Sequence, residues 1–187
     1  MHPMLERLQQ DHVNYSRLMN LLDRQVKHLE HGERTDMLVM RDIMRYMMNY
    51  PDVFHHPYEE LLFRQMQNKN LPDEAAETIQ SLHREHVQLA ELSEELDESL
   101  EAAVSGSIVS REKLINDANA YLNLMREHVR TEERVVFPLI DQTLSTAEWV
   151  LLESRGGKVE DPLFGPVIAE EYRRLYDGVL DASGSTH

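Results

Sequence analysis

A spacing constrains this 187-residue chain more than any other feature. Leu5, Leu8, His12, Tyr15, Met19, Leu22, Val26 and Leu29 recur at intervals of three and four. That interval draws one continuous stripe down a single long helix. Three further stretches repeat it. The second spans roughly 36–68 and is interrupted at Pro51 and Pro57, where a missing backbone donor and a ring clash predict a break or kink. The third begins at Pro72-Asp73 and carries Ile79, Leu82, His86, Leu89, Ser93, Leu96 and Leu100. The fourth follows Ser110, an N-cap residue with Lys113 at the third helical position, and carries Leu114, Ala118, Tyr121, Met125, His128, Glu132, Val135 and Leu139. No segment alternates as a strand would, and no internal repeat appears. The prediction is an all-α, up-down-up-down four-helix bundle over 1–145. A short helical extension over 146–181 packs on it around the Asp161–Gly165 turn, with Trp149 as an anchor. Residues 182–187 form a disordered tail.

The stripes are apolar except where they are interrupted, and the interruptions share one chemistry. Helix one carries His12, helix three His86, and helix four His128 with Glu132 one turn later. The second half of helix two carries the run His55-His56-Pro57-Tyr58-Glu59-Glu60, in which His55 and Glu59 lie one above the other. A lone histidine in a core is ordinarily a hydrogen-bonded structural residue. Here every helix contributes an inward imidazole, and two helices add a carboxylate. Burying such a set costs several kcal/mol unless something binds it. A cation does.

The ligand set is therefore His12, His55, His56, Glu59, His86, His128 and Glu132. Seven side chains exceed what one octahedral ion needs. Two ions sharing both carboxylates and one bridging oxygen have about eleven of twelve positions filled, which leaves about one for a small exogenous ligand. Nitrogen and oxygen donors suit iron, manganese, zinc or copper. The Glu-x-x-His pairs of ferritin-like di-iron sites are absent, as is His-Glu-x-x-His. His83 falls off its stripe by about 60 degrees and reads as a solvated residue, with ligation as the alternative. Tyr15, Tyr50 and Tyr121 lie on or near the seams. A hydroxyl there has a use against a bound oxygen species, but core packing is the simpler reading.

Composition narrows the partners. Nineteen basic residues face 34 acidic ones, a formal charge of -15, which argues against nucleic acid or an anionic membrane as partner. There is no cysteine, so disulfides, thiolate metal sites and thiol catalysis are excluded. Met37, Met40, Met44, Met47 and Met48 read as gap-filling core, and the acidic run over 91–101 as a solvated face. No targeting or spanning segment is visible, so the expected location is cytoplasmic. Of the acids, only Glu59 and Glu132 are expected to take part in chemistry. His2, His28, His31, His83 and His187 are expected at the surface or in the tail.

At these residues the chain resembles the hemerythrin-like, or HHE cation-binding, family. The pattern of His12, His55 with Glu59, His86, and His128 with Glu132 carries the resemblance. So do the segments His55–Phe63 and His128–Pro138, and the Asp161–Gly165 turn is similar to the tail of single-domain bacterial members. The resemblance covers about 1–180. It implies a non-haem di-iron centre with an oxo or hydroxo bridge, zinc or manganese being alternatives. The implied role is binding or sensing O2, nitric oxide or a peroxide. A di-iron enzyme with peroxidase-like or nitric-oxide-reducing activity, and a storage or structural metal module, are the other readings. The implied partner is that small ligand, in a monomer or homodimer. Animal hemerythrins carry two helix-three histidines four apart and a fourth-helix His with an Asp five later. Here His83 and His86 are three apart, His56 is suggested as the replacement ligand, and Glu132 follows His128 by four.

Overall fold

The computed structural model describes residues 1–155 and 159–184, and among them there is helix and no strand. Helix α1 runs Pro3–His31. Its start is fixed twice, by Pro3 in the first turn and by the His2 imidazole, which accepts from the Met4 N–H at 3.3 Å. Its end is fixed by Gly32 at φ 71°, a left-handed conformation costly for any side chain, with Glu33 N–H returning to His28 O at 2.8 Å. Helix α2, Met37–Asn49, is capped by Asp36, whose carboxylate accepts from Leu38 and Val39 N–H. Helix α3 is His56–Gln67 and α4 is Asp73–Val104. Helix α5, Arg111–Thr131, starts on Ser110, whose hydroxyl accepts from Lys113 N–H. Helix α6 is Phe137–Thr143.

Two joints are wider than α-helix. Pro51–His55 forms a π-helical turn between α2 and α3, and Glu132–Val136 forms another between α5 and α6. The break expected at Pro51 is therefore an expansion of the helix, and the fourth helix contains a second one that its spacing did not announce. Such turns concentrate at functional sites. Both coincide with a His-x-x-x-Glu segment.

Helix α2 packs against α1 and α4, and α5 packs against α1 and α4 from the other side. The buried apolar residues fall into two separate clusters. One surrounds Tyr15, Leu22, Met40, Met44, Met47 and Leu96. The other surrounds Leu5, Leu8, Phe63, Leu82, Phe137 and Ile140. The polar layer lies between them.

The extension serves both clusters. In α7, Thr146–Arg155, Trp149 and Leu152 join the second cluster. Trp149 stacks on His2 with ring centroids 3.9 Å apart. His2, expected at the surface, is 20% exposed and also caps α1 and packs on Trp149. The Asp161 carboxylate accepts from Leu163 and Phe164 N–H and from the Tyr46 hydroxyl, which ties the turn to α2. Leu163, Tyr172 and Leu175 join the first cluster. Helix α8 runs Arg173–Gly184, so it continues three residues past the expected end of the extension at 181. His187 and the Gly156-Gly157 break lie outside the described residues. No single helix among the described residues is long and apolar enough to cross a membrane.

Candidate metal centre

All seven sequence-predicted ligands converge. α1 supplies His12, the first π turn supplies His55, α3 supplies His56 and Glu59, α4 supplies His86, α5 supplies His128, and the second π turn opens with Glu132. Every one is buried, and Glu59, His128 and Glu132 have no exposed surface at all. Ligand atoms of His56, Glu59, His86 and His128 lie within 4.8 Å of one another, as do those of His12, His55 and Glu59.

The donors therefore form two groups that share Glu59. Its Oε1 lies 3.2 Å from His55 Nε2 and 3.6 Å from His12 Nε2, while its Oε2 lies 3.4 Å from His86 Nε2. Glu132 behaves alike: Oε1 is 3.1 Å from His128 Nε2 and Oε2 is 3.4 Å from His12 Nε2. Each carboxylate turns one oxygen to each group. Adjacent residues supply both groups because His55 closes the π turn and His56 opens α3: His55 faces His12, and His56 stacks on His86 at 4.5 Å.

The inward atoms want a cation. Nε2 of His56, His86 and His128 and all four oxygens of Glu59 and Glu132 are buried without a hydrogen-bond partner. Native interiors leave few such atoms, so seven in one layer call for a ligand. Nε2 of His12 and of His55 stand 3.1 Å apart. Two lone pairs that close need a proton or a metal ion between them. The residues present fit a metal centre with nitrogen and oxygen donors.

The outward nitrogens complete the design. Nδ1 of each imidazole meets its own carboxylate: Glu133 for His12 at 3.2 Å, Asp11 for His55 at 3.1 Å, Asp52 for His56 at 3.0 Å, Glu60 for His86 at 2.8 Å, Glu85 for His128 at 3.1 Å. A proton placed on Nδ1 donates to that carboxylate and turns the Nε2 lone pair inward. The expectation that only Glu59 and Glu132 matter is therefore corrected: five more acids orient the ligands. Four of these sit beside a ligand in sequence and reach a ligand on another segment. Asp11 beside His12 braces His55, Glu60 beside Glu59 braces His86, Glu85 beside His86 braces His128, and Glu133 beside Glu132 braces His12. The braces close a ring around the bundle. Asp52 braces His56 from within its own segment and is steadied by the Ser93 hydroxyl at 3.3 Å.

Burial pushes Glu59 up, but His55, His12 and His86 outweigh it and hold its carboxyl well below the usual range. Burial and the Glu59 charge push Glu132 up, and His128 and His86 bring it down to about 2. Burial opposes charge on His12 too, yet Glu133 and Glu59 raise it to about 10. His86, against Glu132, Glu59 and Glu60, rises to about 11, again in spite of burial. His56 goes the other way, to about 4, because burial and its neighbours His86 and His55 outweigh Asp52. The two buried carboxylates thus remain ionised and hold positive charge among the imidazoles, which is the charge a metal cation brings.

His83 is not among these ligands. It is exposed and its Nδ1 lies 2.9 Å from Glu60 Oε1, the same oxygen that faces His86. Tyr121 and Tyr50 are buried aromatics. Tyr15 packs its ring edge-on to His55 at 5.0 Å, and its hydroxyl is buried without a partner. The family model for the hemerythrin HHE cation binding domain matches residues 4–140. No curated protein matches the chain.

Proposed function

The chain belongs to the hemerythrin HHE cation-binding family, and on that premise we propose that its centre holds two iron ions and binds a small oxidant: O2, nitric oxide or a peroxide. The observation that carries this reading is the bilateral placement of Glu59 and Glu132, each with one oxygen toward either imidazole group. That placement supports two ions rather than one. The packing of α1, α2, α4 and α5 around the layer supports an up-down-up-down order for the four long segments.

The two groups are unequal. With two ions bound, His56, His86 and His128 and one oxygen of each carboxylate would hold one, and His12 and His55 with the other two oxygens would hold the second. The second ion would have fewer protein donors and so room for an exogenous ligand. Bound iron supplies electrons to that ligand. The residues of this chain do the rest. Glu59 and Glu132 offset the charge of the ions, the Nδ1 braces keep all five Nε2 atoms aimed inward, and the two apolar clusters keep bulk water from the layer. The absence of cysteine removes thiolate donors, and the layer itself offers imidazole nitrogens and carboxylate oxygens.

Protein purified from iron-supplied cells tests this. About two irons per chain and an absorption band that changes when the reduced, anaerobic protein meets O2, nitric oxide or hydrogen peroxide are expected. Less than one iron per chain, with no such change, overturns it.

A further inference from the structure

The two-imidazole group backs onto a cavity that the metal centre itself does not use. It lies between the first turns of α1, the first π turn and α3, and encloses about 280 Å³. That is near the small end for ligand pockets, on the order of 300 Å³ and upward. Leu8, Val53 and Leu61 make apolar walls, and Tyr50, Phe54 and Tyr58 make aromatic ones. Tyr50 and Phe54 lie 5.9 Å apart between ring centroids. His55 and Asp11 are part of its lining.

Two features decide what such a cavity takes. His55 stands between it and the centre, with Nε2 turned away toward His12 and Glu59. An occupant therefore cannot become a ligand of the ions; it meets the ligand's ring instead. The polar groups are also mostly donors, Arg155 and the Tyr50 and Tyr58 hydroxyls lining the cavity beside the pair that follows. The Arg7 guanidinium, set against the Tyr50 hydroxyl, is a donor. Asp11, whose Oδ2 already accepts from His55, has a second oxygen as an acceptor. Aromatic walls with guanidinium and hydroxyl donors around one carboxylate acceptor suit a planar ring bearing hydroxyls.

We propose that this cavity is an electron-donor site for a single-ring aromatic diol, a quinol, which delivers electrons to the centre through the His55 ring. The proposal rests on the oxidant-binding reading above and names the reductant for it. With a peroxide as oxidant the reaction balances as one quinol and one hydrogen peroxide giving one quinone and two waters. Two O–H bonds of the quinol and the O–O bond of the peroxide break. Two electrons pass inward through His55, and two protons, exchanged through solvent, complete the waters.

The test uses the full chain loaded with iron and oxidised with hydrogen peroxide, then mixed with hydroquinone or with dithionite. The rate of re-reduction by hydroquinone is expected to saturate with its concentration. Leu61→Trp, which fills the cavity from the half-buried face of α3, is expected to lower it at least tenfold while iron content and the dithionite rate hold. Arg7→Gln is expected to weaken saturation without changing iron content, so the result does not hang on one variant folding. Resorcinol, the isomer that cannot form a quinone, is expected to compete and to give heat on titration into the wild-type protein but not into Leu61→Trp. A linear, non-saturating rate that both variants share overturns the donor site and leaves the metal centre standing. Protein that binds no iron, or does not respond to peroxide, overturns both.

Discussion

The half of the centre near α1 offers two imidazoles, and the half near α4 and α5 offers three. Their surroundings differ as well. The larger group draws on α3, α4 and α5, and its imidazoles stack, His56 on His86 at 4.5 Å with His128 edge-on to His86 at 4.7 Å. The smaller group rests on α1 and a π turn. Its two braces lie at opposite extremes: Glu133 on His12 is 38% exposed and Asp11 on His55 only 11%, against 19%, 16% and 22% for Asp52, Glu60 and Glu85. The donors are divided unequally, three imidazoles to two, and the smaller half is held by fewer elements.

That division can be broken in stages. The largest effect is expected from Glu59→Ala, because both groups share that carboxylate. Removing it leaves buried charge uncompensated, and the loss should be about 3–5 kcal/mol by denaturant unfolding, with both ions lost. If one ion stays, the carboxylate does not join the halves. Next, His55→Ala and His86→Ala should behave differently. The first strips the smaller group to one imidazole and should leave about one iron per chain, whereas the second should leave both ions bound, more weakly. Equal losses from the two variants, read by elemental analysis, would erase the asymmetry.

Smaller effects come from the braces. Asp11→Asn and Glu60→Gln should each lower metal affinity by about 10–100-fold, with the fold intact by circular dichroism. Glu133→Gln, at the most exposed brace, should fall at the low end of that range in the same competition assay with a chelator. The smallest effect is expected away from both halves. Tyr46→Phe removes the hydroxyl bonded to Asp161 at 2.9 Å and should cost about 1 kcal/mol of stability with metal content unchanged. A fall in metal content would show that the C-terminal extension bears on the centre and does more than cover the bundle.

The seven candidate ligands were legible because a polar residue on an apolar helical stripe is conspicuous, and His12, His86, His128 and Glu132 each interrupt one. His55 and His56 were legible as a pair, but their facing two groups depends on a π turn that the spacing did not reveal. At Glu132–Val136 the expected stripe fails: Val135 is 47% exposed, and the wider turn moves the buried face by one residue, from Val135 and Leu139 to Val136 and Ile140. The braces were hidden for a different reason. Asp11, Glu60, Glu85 and Glu133 lie off the stripes, among many solvated acids, and each acts on a residue far away in the chain. Their one signal is adjacency to a ligand, and it means something only once the neighbouring helix is in place. The stacking role of His2 was hidden because it depends on Trp149, which lies in the extension.

The closed ring of braces has a consequence for the newly made chain. Each segment gives a carboxylate to the next and receives one from the segment before, and the last returns to the first. While the ribosome has yet to release α5 and the turn after it, His12 lacks Glu133 and Glu85 has no imidazole to steady. A partly synthesised bundle then offers loose histidines, and only the finished circle sets His12, His55, His86 and His128 at once, while Asp52 holds His56 from its own segment. On the metal-binding reading, capture of the cation is expected late in the protein's life, deferred until a chain can shield what it takes up.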